Sequence, residues 1–150
     1  MKQRRTIVVG KALLERAIAI AVEAHAGQID KAGAPYVLHP LRVMLSLATE
    51  DERIVGVLHD VCEDCPGWDF ERLRGEGFSE SILEALAAVT KIDGEEYEAF
   101  VQRAARNPIG KAVKRADLID NSDVSRIAAP TQKDRERLAK YARALALLDG

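Results

Sequence analysis

The stretch "EDERIVGVLHDVCEDC", Glu50 to Cys65, decides how this chain folds and raises the question of what it does. Its apolar residues recur at helical spacing, which predicts one helix that ends before Pro66 and Gly67. At roughly 100° per residue, four polar residues share one side of that helix: His59, Asp60, Glu63 and Asp64. Acids on one side of a helix usually form a solvent-exposed face, so this stretch by itself does not establish a site.

The rest of the chain shows the same periodicity, and no stretch alternates as a half-buried strand does. Gly27 suits the end of the first helix, Pro40 the first turn of the second, and Ser79 an N-cap. We predict helices over 10–27, 39–49, 50–65, part of 68–78, 80–91, 94–107, 108–127 and 131–148. The fold class is therefore all-α, a helical bundle in which residues 1–150 form a single domain.

Composition limits the classes of partner. The 150 residues are 47% hydrophobic and 31% charged, with a net charge of −2, which favours a globular chain without a basic surface for DNA or anionic membranes. No apolar stretch approaches the ~20 residues that span a bilayer. The opening "MKQRRTIVVG" lacks the length and cleavage pattern of a signal peptide. We expect a cytoplasmic protein with no nucleic-acid or membrane partner, and the sequence leaves its oligomeric state open.

The two cysteines, Cys62 and Cys65, form a "CEDC" motif that redox proteins and zinc sites also use. No βαβ pattern surrounds the pair, and the chain has no second pair to complete a zinc site of four cysteines. We interpret them as small, half-buried thiols near a helix end.

Other polar positions add candidate ligands. His39 begins a helix after a Gly/Pro-containing loop, although a lone histidine there is more often a cap or a surface residue. Asp117, Asn121 and Val124 fall at i, i+4 and i+7 of a predicted helix, and polar groups on such a stripe are costly to bury unless they are paired. Two histidines with two or three carboxylates would suit Mn, Fe or Zn, but no spacing rule proves that they meet.

Four motifs occur in order: "HAGQIDKAGAPYVLHP", "LHDVCED", "VTK" and "KRADLIDN". Together they resemble the HD-domain phosphohydrolases, specifically the hydrolase domain of the RelA/SpoT family and its stand-alone small alarmone hydrolases. The resemblance runs from about Ala24 to Asn121. It implies an all-α HD domain with one divalent metal ion, typically Mn²⁺. It also implies removal of the 3′-pyrophosphate of guanosine tetra- and pentaphosphate by a metal-activated water. Because the length leaves no room for a synthetase domain, we do not expect alarmone synthesis.

The resemblance also implies roles for single residues. The metal ligands would be His39, His59, Asp60 and Asp117. The acidic pair Glu63 and Asp64 would activate or orient the attacking water, with Glu63 held off the metal. The substrate would be bordered by Lys31 and Tyr36 and contacted near its sugar by Asn121. His25 matches a family position too, and we interpret it as structural.

The chain departs from the family in the loop that contacts the base. Where the family loop reads like "GQxRKSGEPY", this one reads "GQIDKAGAPY", so Asp30 replaces an arginine that stacks on guanine and Ala34 replaces an acid. Leu118 and Asp120 stand where the long enzymes more often have arginine and histidine. Two alternatives therefore stay open: an HD phosphohydrolase acting on another nucleotide or phosphoester, and a non-catalytic nucleotide-binding HD domain.

Overall fold

The computed structural model describes residues 12–150. The opening "MKQRRTIVVGK" lies outside the described residues, and its last two residues are the first two positions of the first predicted helix. The helices are α1 (Leu13–Ala24), α2 (Leu38–Ser46), α3 (Glu50–Leu58), α4 (Val61–Asp64), α5 (Phe70–Gly75), α6 (Glu80–Ala88), α7 (Tyr97–Ala105), α8 (Pro108–Asn121) and α9 (Gln132–Asp149). Within 12–150 there is no strand, only an isolated bridge between Ile29 and Pro35. The all-α prediction is confirmed. The single domain over 1–150 stays a prediction.

Side-chain caps fix several helix starts. The Thr49 hydroxyl accepts from the Glu52 backbone N–H, and the Glu52 carboxylate accepts from the Thr49 backbone N–H, which forms a complete capping box for α3. Thr131 and Asp134 form the same arrangement at α9. Ser79 caps α6 as predicted, since its hydroxyl accepts from the Ile82 N–H at 3.3 Å. Local sequence therefore sets these boundaries.

Helix α3 lies at the centre of the bundle, packed against α1, α2, α6 and α8. Its residues 54–58 are all buried. Gly56 faces the end of α2, because a Cβ atom at this position would lie 3.4 Å from Val43 Cγ1 and 3.6 Å from Met44 Cα. The polar residues that follow α3 are thus carried into the interior by the most buried helix of the core.

The predicted continuous helix over 50–65 is wrong. Helix α3 ends at Leu58 and α4 begins at Val61, with His59 and Asp60 in a turn between them. The His59 ring N–H donates to the Gly56 carbonyl at 2.5 Å, where it competes for the acceptor that a continuing helix would offer to the Asp60 backbone N–H. Asp60 takes φ −101° and ψ −3°, outside regular helix geometry. Angles counted at 100° per residue therefore do not hold across this turn.

Helix α8 ends at Asn121, whereas the sequence predicted helix to residue 127. The Ser122 hydroxyl donates to the Leu118 carbonyl at 2.6 Å, and the Asp123 carboxylate accepts from the Ser125 backbone N–H at 2.9 Å. Such side-chain bonds offer the backbone an alternative to further helical turns. Val124 consequently lies outside the helix, and only Asp117 and Asn121 of the predicted stripe remain on it.

Helix α9 packs against α7 and α8 over a small second cluster, Val101, Leu118, Ala144 and Leu148. This packing brings Arg137 and Tyr141 of α9 to a pocket that Tyr36 and His39 also line. Among the helices of residues 12–150, none is long and apolar enough to cross a membrane.

Candidate metal and nucleotide site

The four ligands implied by the resemblance converge in the structure. His39 comes from α2, His59 and Asp60 from the turn after α3, and Asp117 from α8. Asp117 Oδ1 lies 2.9 Å from His39 Nε2 and 3.2 Å from His59 Nε2. Asp60 Oδ2 lies 3.2 Å from His59 Nε2 and 3.9 Å from His39 Nε2. Two imidazoles and two carboxylates, all largely buried, therefore share one small volume.

These separations fit a single divalent ion. Ligand atoms about 2.0–2.2 Å from one ion lie roughly 3–4 Å from one another at tetrahedral or octahedral angles. Donor atoms of His39, His59 and Asp60 all lie within 4.8 Å of one another, and Asp117 is in hydrogen-bond contact with both imidazoles. Imidazole and carboxylate together suit a transition ion such as Mn²⁺, Fe²⁺ or Zn²⁺.

A hydrogen-bond partner on the Nδ1 side of each imidazole orients the ring. His59 Nδ1 donates to the Gly56 carbonyl because a carbonyl only accepts, so a ring that gives up one proton keeps it on Nδ1 and turns the Nε2 lone pair toward the cluster. His39 Nδ1 lies 2.6 Å from Asp120 Oδ2, while its Nε2 faces Asp117. Metal-binding histidines commonly have such a partner on their second nitrogen.

Two contacts hold Asp117. Lys114, buried one turn earlier on α8, donates from Nζ to Asp117 Oδ2 at 3.3 Å, and Asn121 donates from Nδ2 to Oδ1 at 3.1 Å. The Lys114 ammonium also lies 4.5 Å from the centre of the Phe100 ring. Sequence reasoning missed Lys114, although its i, i+3 spacing to Asp117 was a readable signal.

Charges within the cluster shift the pKa values of its members. Burial lowers the pKa of His59, but the carboxylates of Asp60 and Asp117 outweigh it and raise that pKa well above its ordinary value. Burial also lowers the pKa of His39, but hydrogen bonds to Asp117 and Asp120 outweigh it, so this pKa is raised. Burial raises the pKa of Asp117, but the imidazoles hold it well below its usual range. The cluster is thus a set of mutually stabilised charges.

The acidic pair lies on α4, immediately after the turn that carries His59 and Asp60. Glu63 and Asp64 are both solvent-accessible. Burial, and then the charge of Asp60, raises the pKa of each carboxyl. Both groups therefore bind a proton more readily than an ordinary surface acid does.

A pocket with an empty volume of about 600 Å³, open mouth included, lies beside the cluster and shares His39 with it. Lys31, Tyr36 and Asn121, the three residues implied to border the substrate, all line it. The Tyr36 hydroxyl donates to Asp60 Oδ2 at 2.5 Å, and burial, together with that carboxylate, raises the pKa of the phenol. Cations that sequence reasoning missed also line the pocket: Arg42, Arg126 and Arg137.

A family model described as HD domain matches residues 17–119. The chain belongs to the HD-domain family. The match covers α2, α3, α4 and most of α8. It therefore includes the ligand cluster, by which we mean His39, His59, Asp60 and Asp117.

Relatives of this HD domain have names from alarmone metabolism. A guanosine-3′,5′-bis(diphosphate) 3′-pyrophosphohydrolase from Aquifex aeolicus is 31% identical over an alignment of 139 residues, which covers 85% of this chain and 19% of that protein. A probable GTP pyrophosphokinase from Mycobacterium leprae is 31% identical over an alignment of 137 residues, which covers 83% of this chain and 17% of that protein. The chain thus spans less than a fifth of the length of these curated relatives.

A solved structure gives the same fold. It comes from work on a metazoan ortholog of SpoT that hydrolyses ppGpp, and it matches with a TM-score of 0.75 at 23% identity. The match covers 95% of this chain and 88% of the other. Together with the relatives, it confirms the resemblance to the RelA/SpoT hydrolase domain and the HD-type helical bundle.

The loop of the HD domain that departs from the family motif is built around Asp30. Asp30 Oδ1 accepts from the backbone N–H groups of Ala32 and Ala34, both at 2.9 Å. Such an aspartate turn stabilises a tight loop. Asp30 also lines the pocket, so its charge faces the same space as Lys31. Asp30 therefore stabilises the loop, and it also gives this position a negative charge where the family motif has an arginine.

His25 and the cysteines lie behind Tyr36. The His25 ring is 2% exposed, with Nδ1 2.8 Å from Gln28 Oε1 and 3.3 Å from Cys65 Sγ, and its centroid is 5.1 Å from that of Tyr36. Burial raises the pKa of Cys62 to about 11, which keeps this thiol protonated at neutral pH. Cys65 is buried and Cys62 half-buried, so the half-buried environment predicted for both thiols holds for Cys62 alone. The structural role of His25 stays a prediction.

Proposed function

We propose that this HD domain is a metal-dependent phosphohydrolase that removes the 3′-pyrophosphate of guanosine 3′,5′-bis(diphosphate) and related alarmones. The observation that carries the proposal is the convergence of His39, His59, Asp60 and Asp117 beside a pocket lined with cations. The names of the relatives, whose matching segments cover this cluster, support the same substrate class.

The two imidazoles and two carboxylates would hold one divalent ion, for which we propose Mn²⁺. When bound, such an ion makes water more acidic and offsets negative charge on phosphate oxygens. The protein keeps Asp117 in place through Lys114 and Asn121, and the His59 ring through the backbone carbonyl of Gly56. The arrangement is therefore largely preorganised by the fold.

Glu63 and Asp64 would act on the attacking water. A bond forms between the water oxygen and the phosphorus attached to the ribose 3′ oxygen, and that phosphorus–oxygen bond breaks, which releases pyrophosphate and a 3′-hydroxyl. A carboxylate at Glu63 or Asp64 takes one proton of the water, and a proton passes to the departing 3′ oxygen, so that one water is consumed in all. General-base action of this kind is worth roughly 10²–10⁴-fold in rate.

The pocket would bind the nucleotide. Lys31, an exposed cation of the loop, and Arg126 and Arg137 supply positive charge for a substrate with several phosphates. Tyr36 and Asn121 contact both the pocket and the ligand cluster, so they join the substrate to the reacting centre.

An assay that identifies the products of guanosine tetraphosphate hydrolysis, with and without added Mn²⁺, tests the proposal. Wild type is expected to release pyrophosphate only with the metal, and Asp60→Ala to release none. Asp149→Asn, which removes only an exposed partner of Arg115, is the matched control and is expected to behave as wild type. Release of orthophosphate would contradict the alarmone assignment, and no product from any nucleotide in a small panel would contradict catalysis.

One observation favours a second substrate. Asp30 adds a negative charge to the pocket at the position where the family has an arginine that stacks on guanine. A nucleotide with another base is therefore the second candidate. The same panel, extended to adenine and pyrimidine nucleotides, separates the two because catalytic efficiency is compared across bases at fixed Mn²⁺.

A further inference from the structure

Asp120 contacts a proposed metal ligand from outside the cluster. Its Oδ2 lies 2.6 Å from His39 Nδ1, on the far side of the imidazole ring from Asp117. The contact joins α8 to α2 across 81 positions of sequence. The carboxylate is 13% exposed, so water competes with it only weakly. His39 therefore has an anionic acceptor on the nitrogen that faces away from the cluster.

Arg42 fixes that carboxylate in turn. It lies one turn after His39 on α2 and donates from Nε to Asp120 Oδ1 at 2.8 Å and from Nη2 to Oδ2 at 3.0 Å. A two-pronged contact of this kind sets the plane of a carboxylate as well as its position. Arg126 adds a longer contact, 3.7 Å from Oδ2. The pKa of Asp120 is lowered, because His39 and Arg42 outweigh the opposing effect of burial.

The two imidazoles of the cluster thus have different supports. His59 donates to a neutral backbone carbonyl, whereas His39 donates to a carboxylate that an arginine holds in place. An anionic acceptor makes the opposite ring nitrogen a stronger electron-pair donor and fixes the proton on Nδ1. Position 120 is also one of the positions where the chain departs from the long enzymes, which more often have histidine there.

We propose that Asp120, held by Arg42, is a positioning residue that fixes His39 as a metal ligand through its Nε2. The inference rests on the proposed metal site but not on the identity of the substrate. Outer contacts of this kind typically change metal affinity by 10–100-fold. Asp120→Ala is expected to weaken Mn²⁺ binding to that extent, and Asp120→Asn, which keeps one oxygen acceptor and loses the charge, to weaken it about tenfold.

Calorimetric titration of the full chain with Mn²⁺ alone, without nucleotide, measures this effect. Asp149→Asn is the matched control, because it removes an aspartate that pairs with a different arginine, Arg115, at an exposed site. It is expected to bind Mn²⁺ within about twofold of wild type. Arg42→Gln, which leaves Asp120 in place but unclamped, is expected to lie between wild type and Asp120→Ala. Thermal unfolding of each variant identifies any that does not fold.

A spectroscopic readout separates positioning from a purely structural role. In the Zn²⁺-loaded protein, long-range ¹H–¹⁵N correlations report which nitrogen of His39 carries the proton. Wild type is expected to show a protonated, hydrogen-bonded Nδ1, and folded Asp120→Asn to show that proton signal shifted or lost. Mn²⁺ affinity and a His39 signal unchanged in folded Asp120→Asn would overturn the inference. Weakened Mn²⁺ binding in a protein that hydrolyses no alarmone would overturn only the proposed function.

Discussion

The ligand cluster and the loop over 28–36 lie side by side but are built in opposite ways. In the cluster, side chains from α2, α8 and the turn after α3 are buried, and each imidazole nitrogen has a partner. The loop is mostly exposed and is held by the Asp30 turn and the bridge between Ile29 and Pro35. Contacts between helices distant in sequence fix the cluster, whereas local bonds fix the middle of the loop, and only its ends, such as Tyr36, reach the cluster. Changes in the middle of the loop should therefore alter binding of the substrate and leave the proposed metal site intact.

Replacing Asp117 by alanine tests the cluster most severely. The change removes the carboxylate that contacts both imidazoles. It also takes away the Asp117 oxygen to which the buried Lys114 ammonium donates. We expect Mn²⁺ binding to be lost and hydrolysis to fall to the uncatalysed background. Breaking a buried ion pair costs about 3–5 kcal/mol, so the Tm should also fall. Calorimetry and thermal unfolding measure the two effects, and Mn²⁺ affinity equal to wild type would show that Asp117 is not a ligand.

Replacing Glu63 by glutamine separates proton transfer from metal binding. The amide keeps the shape of the side chain but cannot take a proton, so kcat should fall by roughly 10²–10⁴-fold. Because Glu63 lies outside the cluster, Mn²⁺ affinity should stay within about threefold of wild type. Asp64→Asn is compared in the same assay to learn which acid accepts the proton. Parallel losses of Mn²⁺ affinity and kcat would instead identify Glu63 as a ligand.

Changing the pH should move the stability of the metal-free protein and its response to Mn²⁺ in opposite directions. The raised pKa values of His39 and His59 give stability that is present below their ordinary value of 6.5 and is lost as the pH rises through the folded-state values. Metal binding needs neutral imidazoles, so Mn²⁺ affinity should rise up to about tenfold per pH unit for each proton released. Unfolding with and without Mn²⁺ between pH 6 and 8 measures both trends. A metal-induced Tm shift that shrinks with rising pH would contradict this account.

Replacing Asp30 by asparagine probes the loop with the smallest expected effect. The amide oxygen can still accept from Ala32 and Ala34, so the turn stays closed while its negative charge is removed. Exposed charge contacts are worth about 0.2–1 kcal/mol, so KM for an anionic nucleotide should fall by roughly 1.4- to fivefold. Mn²⁺ affinity should not change. Asp30→Ala, which removes both acceptor contacts, is the comparison, and an equal fall of KM in both variants would show that the turn does not shape the pocket.

Much of this arrangement could be predicted from the sequence. Helical periodicity and caps such as Ser79 gave most helix positions, because these signals lie within a few residues of one another. The ordered motifs brought together His39, His59, Asp60 and Asp117 by resemblance. The break after Leu58 was not predictable from periodicity, because a side-chain bond from His59 to the backbone causes it.

The sequence by itself determined most of the helical segments, caps such as Ser79, and which residue types are present as candidate metal ligands. The tertiary structure alone decided that His39 and Arg42 both meet Asp120, and that Arg126, Arg137 and Tyr141 reach the same pocket. The physical reason is the separation along the sequence of the residues that interact. Capping and helical periodicity depend on neighbours along the chain, whereas contacts between α2, α8 and α9 arise only when the apolar faces of these helices pack into one core.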